Sequence, residues 1–448
     1  MCAKRFLFVA AVLLLGLIAN PLLQAATRTW DHEGGDNRWD TAANWSNDMI
    51  PGGLADHARI VLAGADECLI DSAVVAEPKN VWVGYEGAAG DLRMTGGVFT
   101  PNNTHVGRAS VGRFFLSGGT VNTTNLMHVG DDPGGDGTFT MSGGVMSLGN
   151  SDVDWDTLHI GRDGATGSVT ISDGVLSTGT FNVGNQVDSL ATLLISGGTI
   201  NVGETLNTNA FNVANNGATG SATITGGLIN ISGNLNVGNS SGDGPDDIIP
   251  SQGELEMLDG IINIGADPDL RDLRIGHNDA VGLMTMRGGT ININGGLIVG
   301  STNYEVISEE PLEEVPHPGT GHLIMTGGLI SIPDANSVAI GTEGSTGILD
   351  LWGGTIRAGD LLIGEPGSGG ILDIRGGTLL LAGDKTDTIA GYMQAGLVTA
   401  YGGAMDAELL YDFDVANAGM TTVAAIPEPT TMALLGLGGL ALFRRRRR

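Results

Sequence analysis

Residues Gly90–Gly97, reading GDLRMTGG, decide the fold. The same frame, a short alternating run closed by a glycine pair, returns as GRFFLSGG ending at Gly119, GTFTMSGG at Gly144 and GSVTISDG at Gly174. ATLLISGG at Gly198, GSATITGG at Gly227, GELEMLDG at Gly260 and GLMTMRGG at Gly289 follow. GHLIMTGG at Gly328, GILDLWGG at Gly354 and GILDIRGG at Gly377 bring the count to eleven copies. Self-similarity on this scale marks a solenoid.

Within each copy the apolar residues stand two apart, as in Leu92/Met94 and Leu349/Leu351. That is the period of a strand with one face in and one face out. A second apolar pair follows the glycines, for example Ile291/Ile293, and a third closes on glycine, as in Leu158–Gly161 and Phe181–Gly184. Three short strands separated by glycine corners predict a right-handed parallel β-helix, all-β, of about eleven three-stranded coils with N- and C-terminal caps. Glycine suits the corners because a sharp turn at positive φ leaves no room for a Cβ. From Gly97 to Gly377 the mean step is 28 residues, and the shortest steps are 22 and 23. The excess reads as loops, chiefly 240–252 and the Glu-rich 303–319. Each coil would bury about six apolar side chains at roughly 1.5–3 kcal/mol apiece, which stabilises only a stack.

Glycine makes up 74 of the 448 residues, more than twice the usual share of about 7%, without a collagen period. Leaving out residues 1–26 and the five terminal arginines, 14 basic residues face 50 acidic ones, a net of −36. Such a surface repels nucleic acid and anionic membranes. Of the two cysteines, Cys2 lies in the expected leader, so Cys68 stands alone and no disulfide framework exists.

The ends carry addresses. Residues 1–26 combine Lys4 and Arg5 with an apolar run to Ala19 and a small-residue site at Ala25-Ala26, the pattern of a secretory signal peptide. At the other end, Pro427, Glu428 and Pro429 precede an apolar run, Met432–Phe443, and then Arg444, Arg445, Arg446, Arg447 and Arg448. The run is short of the ~20 residues of a durable membrane anchor, and the arginines supply a cytoplasmic stop. Residues 426–448 resemble the PEP-CTERM sorting signal of Gram-negative-type bacteria that export polysaccharide. The resemblance implies handling by an exosortase, transient membrane contact through the tail, and delivery to the cell surface or its extracellular polysaccharide matrix.

Between the ends, residues 27–80 hold Trp30, Trp39 and Trp45. The segment is similar to the entry segment of autotransporter-like surface β-helices, and the repeats to autotransporter-like and pectin-lyase-like β-helices. A cap is expected here, because an open first coil invites end-to-end association; sugar stacking on the tryptophans is the alternative. Residues 81–383 are the repeats, and 384–425 a C-terminal cap and linker. Within the latter, Asp384 is placed as N-cap of a short helix stopped by Gly396, two strands cover 397–401 and 409–413, and 414–425 reads as linker.

Outward positions of the third strand align Trp82, His105, His128, His159, Asn182, Asn212, Asn236 and Arg274. Three stacked histidines are metal candidates, but a solvated ladder is the expectation, with no resident metal or cofactor. Carboxylates at the corners, among them Asp131, Asp132 and Asp163, are candidates for weak Ca2+ binding. The run Asp152–Asp156 resembles half of a calcium loop, but Thr157 stands where that loop needs glycine. The chain has three lysines, Lys4, Lys79 and Lys385, none of them within a coil, and no paired carboxylates in a distinct cleft. A polysaccharide lyase or glycoside hydrolase is therefore the alternative to a non-enzymatic structural or adhesive protein that contacts polysaccharide.

Overall fold

The computed structural model describes residues 26–53, 55–149, 157–203, 210–240, 249–265, 271–309, 312–364, 369–403 and 408–426. Residues 1–25 of the leader, the run Asp152–Asp156 and the PEP tail from Pro427 onward lie outside them.

The architecture is a parallel β-solenoid. Its third-strand ladder starts with Thr27–Trp30 and His57–Ile60, continues through Asn80–Tyr85 and Asn103–Arg108, and ends at Asp360–Ile363. Thirteen strands lie on this path, two more rungs than the glycine-pair frame counts. The extra rungs fall at 27–80: Thr27–Trp30 pairs with His57–Ile60, which pairs with Asn80–Tyr85. The frame misses them because Ser72-Ala73 stands where later rungs carry the glycine pair. At about 4.8 Å per rung the stack is roughly 60 Å long.

The first and second runs of each rung form two further parallel ladders, joined into one bent sheet rather than two separate sides. In Asp136–Leu148, Thr166–Thr178, Thr320–Ser331 and Thr346–Ala358 the two runs are a single strand bent at the glycine pair, which is Asp173-Gly174 in the second of them. The register shifts there, between Met141 and Val145 for example, as the chain turns the corner. The third run closes on a glycine at positive φ against the next rung. At Gly276 φ is +68°, and a Cβ would meet the Thr320 carbonyl oxygen at 2.0 Å. Ala214 holds the same place with φ 64°, and the first two rungs close on Asp31 and Val61 instead.

Inward positions stack by kind. One rung contributes Val169, Ile171, Leu176, Phe181 and Val183, each at most 1% exposed. Phe181 lies over Phe211 of the next rung with ring centroids 4.8 Å apart. Burial of this size recurs in every rung, which is why the repeat stabilises the stack and not the single coil.

Three fully buried tryptophans plug the first rung. Trp45 meets Trp30 at 5.1 Å and Trp39 at 4.7 Å, edge to face, and Trp39 reaches Phe99. The Trp30 Nε1–H donates to the Asp66 carbonyl and that of Trp45 to the Trp39 carbonyl. With no exposed indole face, these side chains offer no platform for sugar stacking.

At the far end a helix, Thr386–Gln394, lays Ile389 onto the core. Lys385 is its N-cap residue. Asp384 acts one position earlier, accepting from the Thr386 backbone N–H at 3.1 Å and the Thr386 hydroxyl at 2.6 Å. The expected linker is in part a strand: Met420–Ile426 pairs antiparallel with Thr378–Ala382 on one side and Glu408–Phe413 on the other. Thr421, Thr422 and Val423 are β-branched, which suits a strand better than a spacer. Likewise, the insertion after the eleventh rung is not a bare loop. Its backbone forms an antiparallel hairpin of Leu297–Glu309 with Leu312–Pro318.

Candidate functional site

The third-strand ladder carries a polar seam. Trp82 pairs with His105, His105 with His128, and His128 with His159; then come Asn182, Asn212, Asn236 and Arg274. The alignment matches the sequence register, but a solvated ladder is not what forms. His128 is 4% exposed, Asn182 4%, Asn212 6% and Asn236 6%. Side chains one rung apart pack on one another, so each covers its neighbours.

Burial forces these amides to satisfy each other. Asn236 Nδ2 donates to Asn212 Oδ1 at 2.7 Å, Asn212 to Asn182 at 2.7 Å, and Asn182 to His159 Nδ1 at 3.2 Å. All three donors point toward the N-terminal end, so the bonds polarise one another along the rod. A second row runs beside it, Asn239 to Asn215 to Asn185, and continues in register to His277, whose Nδ1 meets the Ser301 hydroxyl at 2.8 Å. A third lies on the second ladder, Asn292, Asn263, Asn230 and Asn201, bonded at 2.8–2.9 Å. Sequence reasoning saw only the first row. The signal for the second was present in the recurring Asn after the closing residue, in FNVGN, FNVAN and LNVGN.

Where the seam turns from histidine to solvent it meets Asp131, 1% exposed. Asp131 Oδ2 lies 2.8 Å from His105 Nδ1 and 3.2 Å from His128 Nδ1, while Oδ1 takes the Arg162 guanidinium at 3.1 Å. Burial alone would raise the pKa of this carboxyl; contacts from His105 and His128 outweigh it and hold the group ionised, well below the usual carboxylate range. The same burial pushes His128 down, with Asp131 only partly offsetting, and takes His159 to about 3. The three imidazoles do not stack flat: centroids are 5.1 Å apart at interplanar angles of 87° and 70°.

The corner carboxylates beside this point are already paired. Arg108 Nε reaches Asp132 at 2.8 Å and Arg162 Nη2 reaches Asp163 at 3.0 Å. Each of these two carboxylates thus already has a cationic partner. A separate groove of about 690 Å³, lined by Asn263, Asn292, Ser331, Asp334 and Arg357, opens along the third amide row. Its ion pair is Arg357–Asp334 at 3.0 Å.

The chain's end is decided by its last two dozen residues. Residues 425–448 match the PEP-CTERM protein-sorting motif. This sorting signal implies an exported protein of a Gram-negative bacterium, processed by an exosortase. Pro427, Glu428, Pro429 and Arg444–Arg448 fall in the matched segment and outside the described residues, whereas Ala425 and Ile426 belong to the last cap strand. Among the described residues no helix is long and apolar enough to cross a membrane. No curated protein and no solved structure matches the chain.

Proposed function

We propose that this exported solenoid works as a non-enzymatic structural or adhesive element at the cell surface, within the extracellular polysaccharide. The observation that carries the reading is the uninterrupted register of all three ladders, with outward rows of like polar side chains repeated about every 4.8 Å. Repetition of that kind offers many weak contacts to a repeating polymer, and their avidity multiplies. Among the described residues, the groove along the third amide row supplies one carboxylate, Asp334, already paired with Arg357. Hydrolysis by the usual route needs two carboxylates.

Fractionating the source cells with and without polysaccharide-degrading treatment, and following the protein by immunodetection, tests the location. Release with the digested polysaccharide is the expected result; retention in the cell pellet after complete digestion would count against the matrix. Incubating the protein with acidic polysaccharides tests the chemistry. New reducing ends or unsaturated uronates, lost on changing one rung residue, would replace this reading with a lyase or hydrolase.

A further inference from the structure

Two imidazole nitrogens and one carboxylate oxygen converge beside the third ladder in a place largely closed to water. We propose that His105, His128 and Asp131 form a binding site for a divalent transition-metal ion of the zinc class, completed by solvent on the partly exposed side of His105.

His105, His128 and Asp131 each bring one ligand atom within 4.8 Å of the other two, and Asp131 Oδ2 lies 2.8 and 3.2 Å from Nδ1 of His105 and of His128. Donors about 2.0–2.1 Å from one tetrahedral ion stand roughly 3.3 Å apart, close to the two oxygen–nitrogen distances here. His128 is 4% exposed, and its Nδ1, buried and aimed at this point, makes no aligned hydrogen bond. A buried polar nitrogen without an aligned partner is costly, and an ion taken up in place of its proton would supply one.

The surroundings support the same assignment. Asp131 divides its labour: Oδ1 is fixed by Arg162, which turns Oδ2 toward the imidazoles, as ligating carboxylates are commonly oriented. Arg108 comes within 3.8 Å of Oδ2, but its charge and that of Arg162 are balanced by Asp132 and Asp163. His159 is not a third imidazole ligand through Nδ1, because that atom accepts from Asn182. Two nitrogens and one oxygen favour Zn2+, Cu2+ or Ni2+ over Ca2+ or Mg2+, which require mostly oxygen.

The test uses the full chain without a histidine tag, kept in mild detergent and stripped by chelator. Zn2+ is titrated by calorimetry and Co2+ by visible absorption. One ion per chain is expected, with protons released on binding and d–d bands from nitrogen-ligated cobalt. His128→Asn is the informative variant, since Asn is the residue that fills the aligned position at Asn182, Asn212 and Asn236. His105→Asn, at a half-buried place, is the second. Each should weaken Zn2+ by roughly 10–100-fold or more while leaving the far-ultraviolet spectrum unchanged. A parent chain that takes up no cobalt, or folded variants that bind as tightly as the parent, would overturn the site.

Discussion

At the scale of single residues, the closing position of the third run shows how strictly the stack selects. Glycine holds it in rung after rung, and at Gly276 nothing larger fits beneath the Thr320 carbonyl. Ala214 alone among the described closures keeps a Cβ at φ 64°, a conformation that costs an L-residue about 1–2 kcal/mol. Ala214→Gly should therefore raise stability by about 1 kcal/mol, read as a higher denaturation midpoint; an unchanged or lower midpoint would show that the methyl group's packing outweighs the strain. His277 gives a second case. Burial first, then the neighbouring Arg274, takes its imidazole to about 4, with Asp272 opposing. The unfolded chain, near 6.5, binds the proton first. The folded state is thus favoured in full above about pH 6.5 and loses up to about 3 kcal/mol as pH falls toward 4. His277→Asn extends the row Asn185, Asn215, Asn239 and should reduce proton uptake on acid unfolding by about one; unaltered uptake would dismiss the idea.

At the scale of elements, the three ladders were legible because alternation and glycine spacing are local properties of the chain. Cap and seam were less so. The strand Met420–Ile426 is written in small and β-branched residues that read equally as a spacer, and only its two antiparallel neighbours make it a strand. The burial of Asn182 and Asn212 was hidden for a related reason: alternation says that a side chain leaves the core, not that the next rung covers it. Asp131 reads in sequence as one acidic corner among several, and its meeting with two histidines arises from the vertical stack. Thr422 pairs with both Leu380 and Asp412. Thr422→Pro removes a ladder donor from this middle strand and should open the last rung, giving concentration-dependent association by light scattering; a monodisperse variant would show that the helix alone seals the end.

At the scale of the whole molecule, contacts run from each rung to its neighbours, so stability should be close to additive along the stack. Excising residues 175–198, one full period of 24 residues between equivalent glycines, joins Gly174 to Thr199, whose ladder partner is Val175. The shortened chain should fold with a near-unchanged far-ultraviolet spectrum per residue and a thermal midpoint within a few degrees of the parent. Collapse to an unfolded product would mean that the rungs depend on distant partners.

The antiparallel strand at the far end and the export label share two residues, Ala425 and Ile426. Scission just beyond Ile426 would shed nearly all of the label yet keep the stopper seated, so a particle freed there would enter its surroundings already blunted against tip-to-tip polymerisation. Scission only a few residues earlier would loosen that stopper and turn the same rod into a seed for fibres.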